Sequence, residues 1–155
     1  MDAIVTPNIR ELLDRGRIDR AWELSAVTLK QAEDDCGKDS VEYGAALIAH
    51  TDVLSCRGEF REAQSLLHEA VSVLEHHKGA GQPALAEALC EQGNLADLLG
   101  KPNAAETSIR RALDLLVPLE SSDIALATRA LLALGNTLHG MERRTEAETA
   151  FRQAC

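Results

Sequence analysis

Aromatic residues are scarce in this sequence, where they make up 3% of 155 residues. The hydrophobic content of 45% is nevertheless sufficient to bury a continuous core. A core built from Ala and Leu favours closely packed helices, because both residues have high helix propensity and Ala lets backbones approach. We therefore predict an all-α fold.

Long apolar runs are also missing. No segment approaches the roughly 18 apolar residues that indicate a membrane-spanning helix. The first residues, MDAIVTPNIRELLDR, lack the basic start and apolar block of a secretory signal. We expect a soluble cytoplasmic protein without a membrane partner.

Positive charge is low relative to negative charge. The chain has 16 Lys and Arg residues against 25 Asp and Glu residues, which gives a formal net charge of −9. This balance disfavours general binding of nucleic acid phosphates or of an anionic membrane. The net charge is compatible with basic or neutral partners.

Patterns typical of catalysis or metal binding are absent from the sequence. It has no glycine-rich phosphate loop, no nucleophile elbow and no pair of metal ligands. The cysteines show neither CxxC pairing nor zinc-site spacing, so we expect reduced structural thiols at Cys36, Cys56, Cys90 and Cys155. A redox pair of Cys56 with Cys90 is the weaker alternative. We predict no enzyme activity, no cofactor and no metal.

The sequence does contain an internal repeat with a period of 42 residues. One column of this repeat consists of alanines, at Ala21, Ala63, Ala105 and Ala147. Further columns are Leu47, Leu89 and Leu131; Thr51, Gly93 and Gly135; and Ser25, Leu67, Ile109 and Phe151. A fixed period of this length is the signature of a solenoid of stacked helix pairs.

Turn and cap residues divide the chain into four units of two helices each. We place the units at about 4–38, 39–80, 81–120 and 121–155, and treat them as one domain. Glycine turns are expected at Gly16, Gly58 and Gly100, whereas Gly140 of unit four falls two positions early, so that turn should differ. Ser40 or Asp39 and the Ser121 to Asp123 segment supply helix caps, and Pro118 ends a helix. The predicted helices are about Pro7–Arg15, Ile18–Asp34, Val41–Arg57, Phe60–His77, Pro83–Leu99, Asn103–Val117, Ile124–His139 and Arg143 to the end.

The repeat resembles the tetratricopeptide repeat. Ala147-x3-Phe151-x2-Ala154 matches the second half of that motif, and Leu134-Gly135 matches its Leu-Gly step. The usual period is about 34 residues, so this chain is more similar to the long repeats of kinesin light chains and of many bacterial regulators. The resemblance implies a right-handed superhelix of about four antiparallel helix pairs. It also implies that a ligand lies in the concave groove lined by the first helix of each unit.

Helical spacing then gives the candidate groove residues. They are Ala45, Ile48, Asp52 and Ser55 in unit two; Glu87, Cys90, Asn94 and Asp97 in unit three; and Arg129, Leu132, Asn136 and His139 in unit four. The amides of Asn94 and Asn136 could donate to and accept from a peptide backbone. The alternative is that these two residues bond neighbouring helices.

These observations favour a protein–protein interaction module that holds a peptide or a partner protein. Asp52, Glu87 and Asp97 suit a basic partner, although exposed acidic residues are more often only solvated. One alternative is a ligand-responsive regulatory domain cut from a larger bacterial regulator. The other is a self-assembling scaffold that forms homo-oligomers through a terminal apolar edge with Phe151 and Ala154.

Overall fold

The computed structural model describes residues 8–79, 81–116 and 124–155. Within them the chain is all-α and lies close to the predicted helix pattern. Several predicted features lie outside the described residues, namely the start at Pro7, the helix end at Val117, Pro118, the caps at Ser121 to Asp123 and the unit bounds at 4, 80, 120 and 121. The helices are α1 (Ile9–Asp14), α2 (Ile18–Cys36), α3 (Val41–Cys56), α4 (Phe60–Glu75), α5 (Gln82–Leu98), α6 (Pro102–Leu116), α7 (Ile124–Gly140) and α8 (Arg144–Ala154).

The eight helices form four hairpins that stack in chain order. Each odd-numbered helix packs against the even-numbered helix that follows it, and each even-numbered helix packs against the next odd one. The odd-numbered helices also contact one another in sequence, from α1 to α7. We call these four the inner helices and the others the outer helices. The array is an α-solenoid whose stability accumulates through contacts between neighbours.

Small residues allow the two helices of each hairpin to approach closely. The alanine column is fully buried at Ala21, Ala63 and Ala105, and Ala147 is 2% exposed. On α5, a Cβ added to Gly93 would lie 3.1 Å from the carbonyl oxygen of Ala105 on α6 and still closer to Ile109. These columns therefore face the interior of the hairpins.

All four hairpin turns have the same geometry, and the prediction for unit four was wrong. Gly16, Gly58 and Gly100 adopt positive φ angles of 68°, 79° and 72°. The corresponding residue of unit four is Glu142, with a φ of 62°, and not Gly140. In each turn this residue donates its N–H to the carbonyl three residues before it, and the following N–H reaches back to close the helix end. The geometry of the turn is thus kept without glycine.

Replacing Glu142 with glycine is expected to stabilise the protein by about 1 kcal/mol, because a left-handed backbone costs a residue with a Cβ about 1–2 kcal/mol and glycine far less. Glu142 is exposed. Thermal unfolding of the variant would measure the gain. The same change at Glu148, which lies within α8, is the control and should destabilise the chain by up to about 1 kcal/mol. An unchanged or lower stability of Glu142→Gly would contradict this account.

Candidate binding surface on the inner helices

The predicted groove residues all lie on the inner helices α3, α5 and α7, and most of them reach solvent. Asp97, Leu132, Asn136 and His139 are exposed, as is Ala45. The half-buried group comprises Asp52, Ser55, Glu87, Asn94 and Arg129. We call the solvent-facing side of the inner helices the inner surface.

Two predicted groove residues belong to the core. Ile48 is 3% exposed and Cys90 is 0% exposed, and both lie in the main hydrophobic cluster. Their repeat column runs where successive inner helices contact one another, so their side chains are covered by protein. Leu132, in the same column of α7, remains 44% exposed. Ile48 and Cys90 are therefore core residues and not exposed groove residues, which corrects the prediction.

A network of ion pairs joins all four inner helices. Arg10 of α1 reaches Asp52 of α3 at 3.5 Å and Glu87 of α5 at 3.4 Å. From the other side, Arg129 of α7 lies 3.8 Å from Glu87 and also bonds Glu91 of α5. Three carboxylates therefore face two guanidinium groups. Most of the acidic charge on this part of the inner surface is neutralised within the protein.

Glu91 was missed as a surface residue, whereas Arg10 was predicted only as a possible contribution of unit one to the groove. Glu91 lies one helical turn after Glu87, so the i, i+4 rule places it on the same face. Arg10 is separated from Asp52 by 42 residues, which is one repeat period. Extending the repeat columns places both residues on the predicted groove face. Their pairing with residues of other units could not be found in this way.

A cavity of about 190 Å³ lies beside Arg10, between α1, α3 and α5. Ala45, Ile48 and Ala49 supply apolar walls, while Asp52 and Glu87 supply carboxylates. Ile48, although only 3% exposed, lines this cavity. The inner surface therefore has a charged, partly apolar depression at its N-terminal end.

The carboxyl group of Asp52 has a strongly altered proton affinity. Burial raises its pKa to about 7, with the charges of Glu91 and Glu87 acting in the same direction and Arg10 opposing them. The side chain is 21% exposed. Asp52 can therefore change its charge near neutral pH, whereas an ordinary aspartate stays ionised there.

The C-terminal part of the inner surface carries polar groups that are not used by neighbouring helices. Among the described residues, the amide of Asn94 bonds only Glu91 of its own helix, at 3.5 Å, and the Asn136 side chain has no hydrogen bond. Exposed Asp97 and His139 lie one turn further along these two helices. The alternative in which the Asn column bonds neighbouring helices finds no support in these contacts.

The cysteines are free thiols, and Cys90 is a poor nucleophile. Burial, with the charge of Glu91 as a further cause, raises the pKa of Cys90 to about 11, so it carries little thiolate at neutral pH. Burial also raises the pKa of Cys56, which lies at an exposed position on α3. This arrangement does not favour the redox pair that was the weaker alternative.

The comparison with protein families identifies the repeat. A family model described as tetratricopeptide repeat matches residues 86–115 and 128–155. These two segments are tetratricopeptide repeats. They fall on the hairpins α5 with α6 and α7 with α8, and the other two hairpins stack on them in the same manner. No curated protein matches the sequence.

A solved structure shows the same fold. BtubC (BKLC) from P. vanneervenii has a TM-score of 0.79 at 19% identity, with 94% of this chain and 58% of that chain covered. This chain thus spans little more than half the length of BtubC. A putative kinesin light chain from Podosopora anserina with nearly identical TPR-like repeats has a TM-score of 0.45 at 15% identity, covering 94% of this chain and 89% of that one. At these identities the likeness to BtubC shows the fold alone.

Tetratricopeptide repeats imply a protein–protein interaction or scaffold module, and two such repeats are matched in this chain. The repeat fold is generally non-enzymatic. Within the three described ranges, no helix combines the length and the apolar character needed to cross a membrane.

Proposed function

We propose that this protein binds an extended segment of a partner protein along the inner surface. The observation that carries the proposal is the pair Asn94 and Asn136, which occupy the same repeat column on adjacent inner helices. Neither amide is used to hold a neighbouring helix within the described chain. Each amide offers donors and an acceptor, which is what an extended backbone requires.

The neighbouring side chains suit a partner with both apolar and basic groups. Leu132 is 44% exposed and offers apolar area on α7. Asp97 is exposed on α5, and the ion-pair network leaves one more carboxylate than guanidinium groups. Basic residues of a partner would therefore meet a modest excess of negative charge. The cytoplasm stays the predicted compartment.

The two rival functions stay predictions, and the structure weakens one argument for self-assembly. Phe151 was predicted to form part of an exposed apolar edge. A Cβ added to Gly135 would lie 2.4 Å from the Phe151 ring, so this ring packs against α7 within its own hairpin. Its side chain therefore stabilises unit four and is only half exposed to any second copy.

A capture experiment with matched variants tests the proposal. Immobilised wild-type protein is compared in source-organism lysate with the double variant Asn94→Ala, Asn136→Ala, and bound proteins are quantified by mass spectrometry. Losing two hydrogen bonds should weaken a genuine partner about tenfold. The control is Asn103→Ala, an exposed position on the outer helix α6.

The captured partner is then divided into overlapping peptides, and each is titrated by calorimetry against the three proteins. The proposal requires one peptide that binds wild type and the Asn103→Ala variant but binds the folded double variant about tenfold less. Equal binding to all three proteins would move the interface to the outer helices or the ends of the array, and would contradict the proposal.

A further inference from the structure

A buried polar cluster joins the first hairpin to the second, away from the inner surface. His50 of α3 is 7% exposed and Ser25 of α2 is fully buried. Nδ1 of His50 lies 2.8 Å from Oγ of Ser25, which itself donates to the carbonyl oxygen of Trp22 at 2.9 Å. The other units have Leu, Ile or Phe in the column of Ser25. The polar residue at this position is explained by the need to satisfy His50.

The hydrogen bonds assign the proton on the neutral imidazole. A serine hydroxyl has one proton, and the Ser25 proton is used by the carbonyl of Trp22. Oγ must then accept from Nδ1–H of His50. The neutral ring therefore keeps its proton on Nδ1, and acid adds a second proton at Nε2.

Protonation of His50 would place a positive charge against Trp22, an indole that already contacts a cation. The ring centroids of His50 and Trp22 are 4.7 Å apart, and the guanidinium carbon of Arg57 lies 4.6 Å from the centroid of the same indole. Arg57 also pairs with Glu59 at 2.6 Å. A charge on His50 would therefore be buried next to an indole ring that Arg57 already contacts.

The acidic groups nearby offset this only in part. Burial lowers the pKa of His50, while Glu62 of α4 and Glu59 before it act in the opposite direction. Of the residues that α2 contributes here, Ser25 and Trp22 are uncharged. The charge of Asp19 contributes, after the hydrogen bond to Glu59, to raising the pKa of Arg57. The neutral ring is therefore the form that fits the interface between the two hairpins.

We propose that His50 is a proton-operated latch, whose protonation loosens α1 and α2 from α3. Because α1 carries Arg10, loosening of the first hairpin would remove this guanidinium from Asp52 and Glu87. Glu87 would then lose this partner, Asp52 would stay largely protonated at acid pH, and the inner surface would lose its N-terminal wall. This consequence for partner binding rests on the proposed function, whereas the latch itself is measured without any partner.

The direction of the pH effect follows from linkage. A histidine whose pKa is lowered on folding binds more protons in the unfolded or detached state. The contact is therefore intact above the ordinary histidine pKa of about 6.5 and weakens as the pH falls below it. Loosening is expected on the acid side of this value.

Two measurements on the wild-type chain test the latch. The His50 ring is titrated by NMR, and amide hydrogen exchange is followed by mass spectrometry at each pH. After correction for the intrinsic pH dependence of exchange, α1 and α2 should lose protection against exchange as the pH falls through the His50 midpoint. The helices α5 and α6 should keep their protection. Trp22, the single Trp, gives a fluorescence change with the same midpoint.

Two histidine variants test whether His50 causes the acid-induced change in exchange. His50→Gln should abolish the acid-induced change in α1 and α2, while His68→Gln, at an exposed position of α4, should retain it. The latch is overturned if His50 titrates without any change in exchange, if all helices lose protection together, or if folded His50→Gln behaves like wild type. Because the NMR titration needs no variant, the proposal stays testable even where His50→Gln fails to fold. Loss of partner binding plays no part in this result, so failure of the latch and failure of the proposed function are distinguishable.

Discussion

Replacing Gly93 with valine is expected to destabilise the protein by about 3 kcal/mol, because an overfilled core usually costs about 1–3 kcal/mol and valine adds three carbon atoms here. A first Cβ would already lie 2.4 Å from Cγ1 of Ile109 and 3.1 Å from the backbone oxygen of Ala105. Neither neighbour can move easily, since Ile109 is fully buried and the oxygen belongs to α6. In a chain of this size the melting temperature should fall by about 6–12 °C.

The same substitution at Gly140 is the matched control. Gly140 ends the neighbouring inner helix α7, and a Cβ there meets no atom within 4 Å. We expect Gly140→Val to change stability by less than about 0.5 kcal/mol, as is usual at an open surface position. Similar losses for the two variants would show that backbone propensity, and not the contact between α5 and α6, decides the effect.

Replacing Asp52 with asparagine is expected to stabilise the protein above neutral pH, by up to about 4 kcal/mol if the full shift is realised. The folded-state pKa of about 7 exceeds the ordinary value of 3.8. At Asp52 the folded state therefore binds more protons than the unfolded state between these values, and the contribution of Asp52 to wild-type stability declines as the pH rises from about 4 to 7. The uncharged amide of the Asp52→Asn variant has no such dependence.

Chemical denaturation at pH 4.5, 6 and 8 would measure this effect, with Asp97→Asn as a control for the loss of one negative charge at an exposed position. The stability difference between Asp52→Asn and wild type should grow with pH and level off above 7. A constant difference over this range would mean that the Asp52 carboxyl is not held in its protonated form by burial and by Glu91. A stability difference that declines with rising pH would show that the ion pair with Arg10 outweighs both the burial of Asp52 and the repulsion from Glu91.

The helices and the residues buried between them were predictable because they depend on local rules. Ala21, Ala63, Ala105 and Ala147 recur with the period of the hairpin, so one pattern gives both the repeat and its packed face. Helix starts followed from caps such as Ser40, whose hydroxyl accepts from the N–H of Tyr43. Such features involve residues a few positions apart, which is the range that sequence patterns describe well.

The sequence by itself determined the repeat, the all-α solenoid and the face on which a partner is proposed to bind. Only the tertiary structure decided which of those residues are available, since Cys90 is buried and Asp52 is held by Arg10. It also revealed that Glu142 takes the place of a turn glycine and that Ser25 is paired with His50. These features depend on how the hairpins stack, which brings residues such as Arg10 and Glu87, 77 positions apart, within 3.4 Å of each other. A periodic sequence specifies each hairpin, but the charge balance and proton affinities of the surface arise from distances between hairpins.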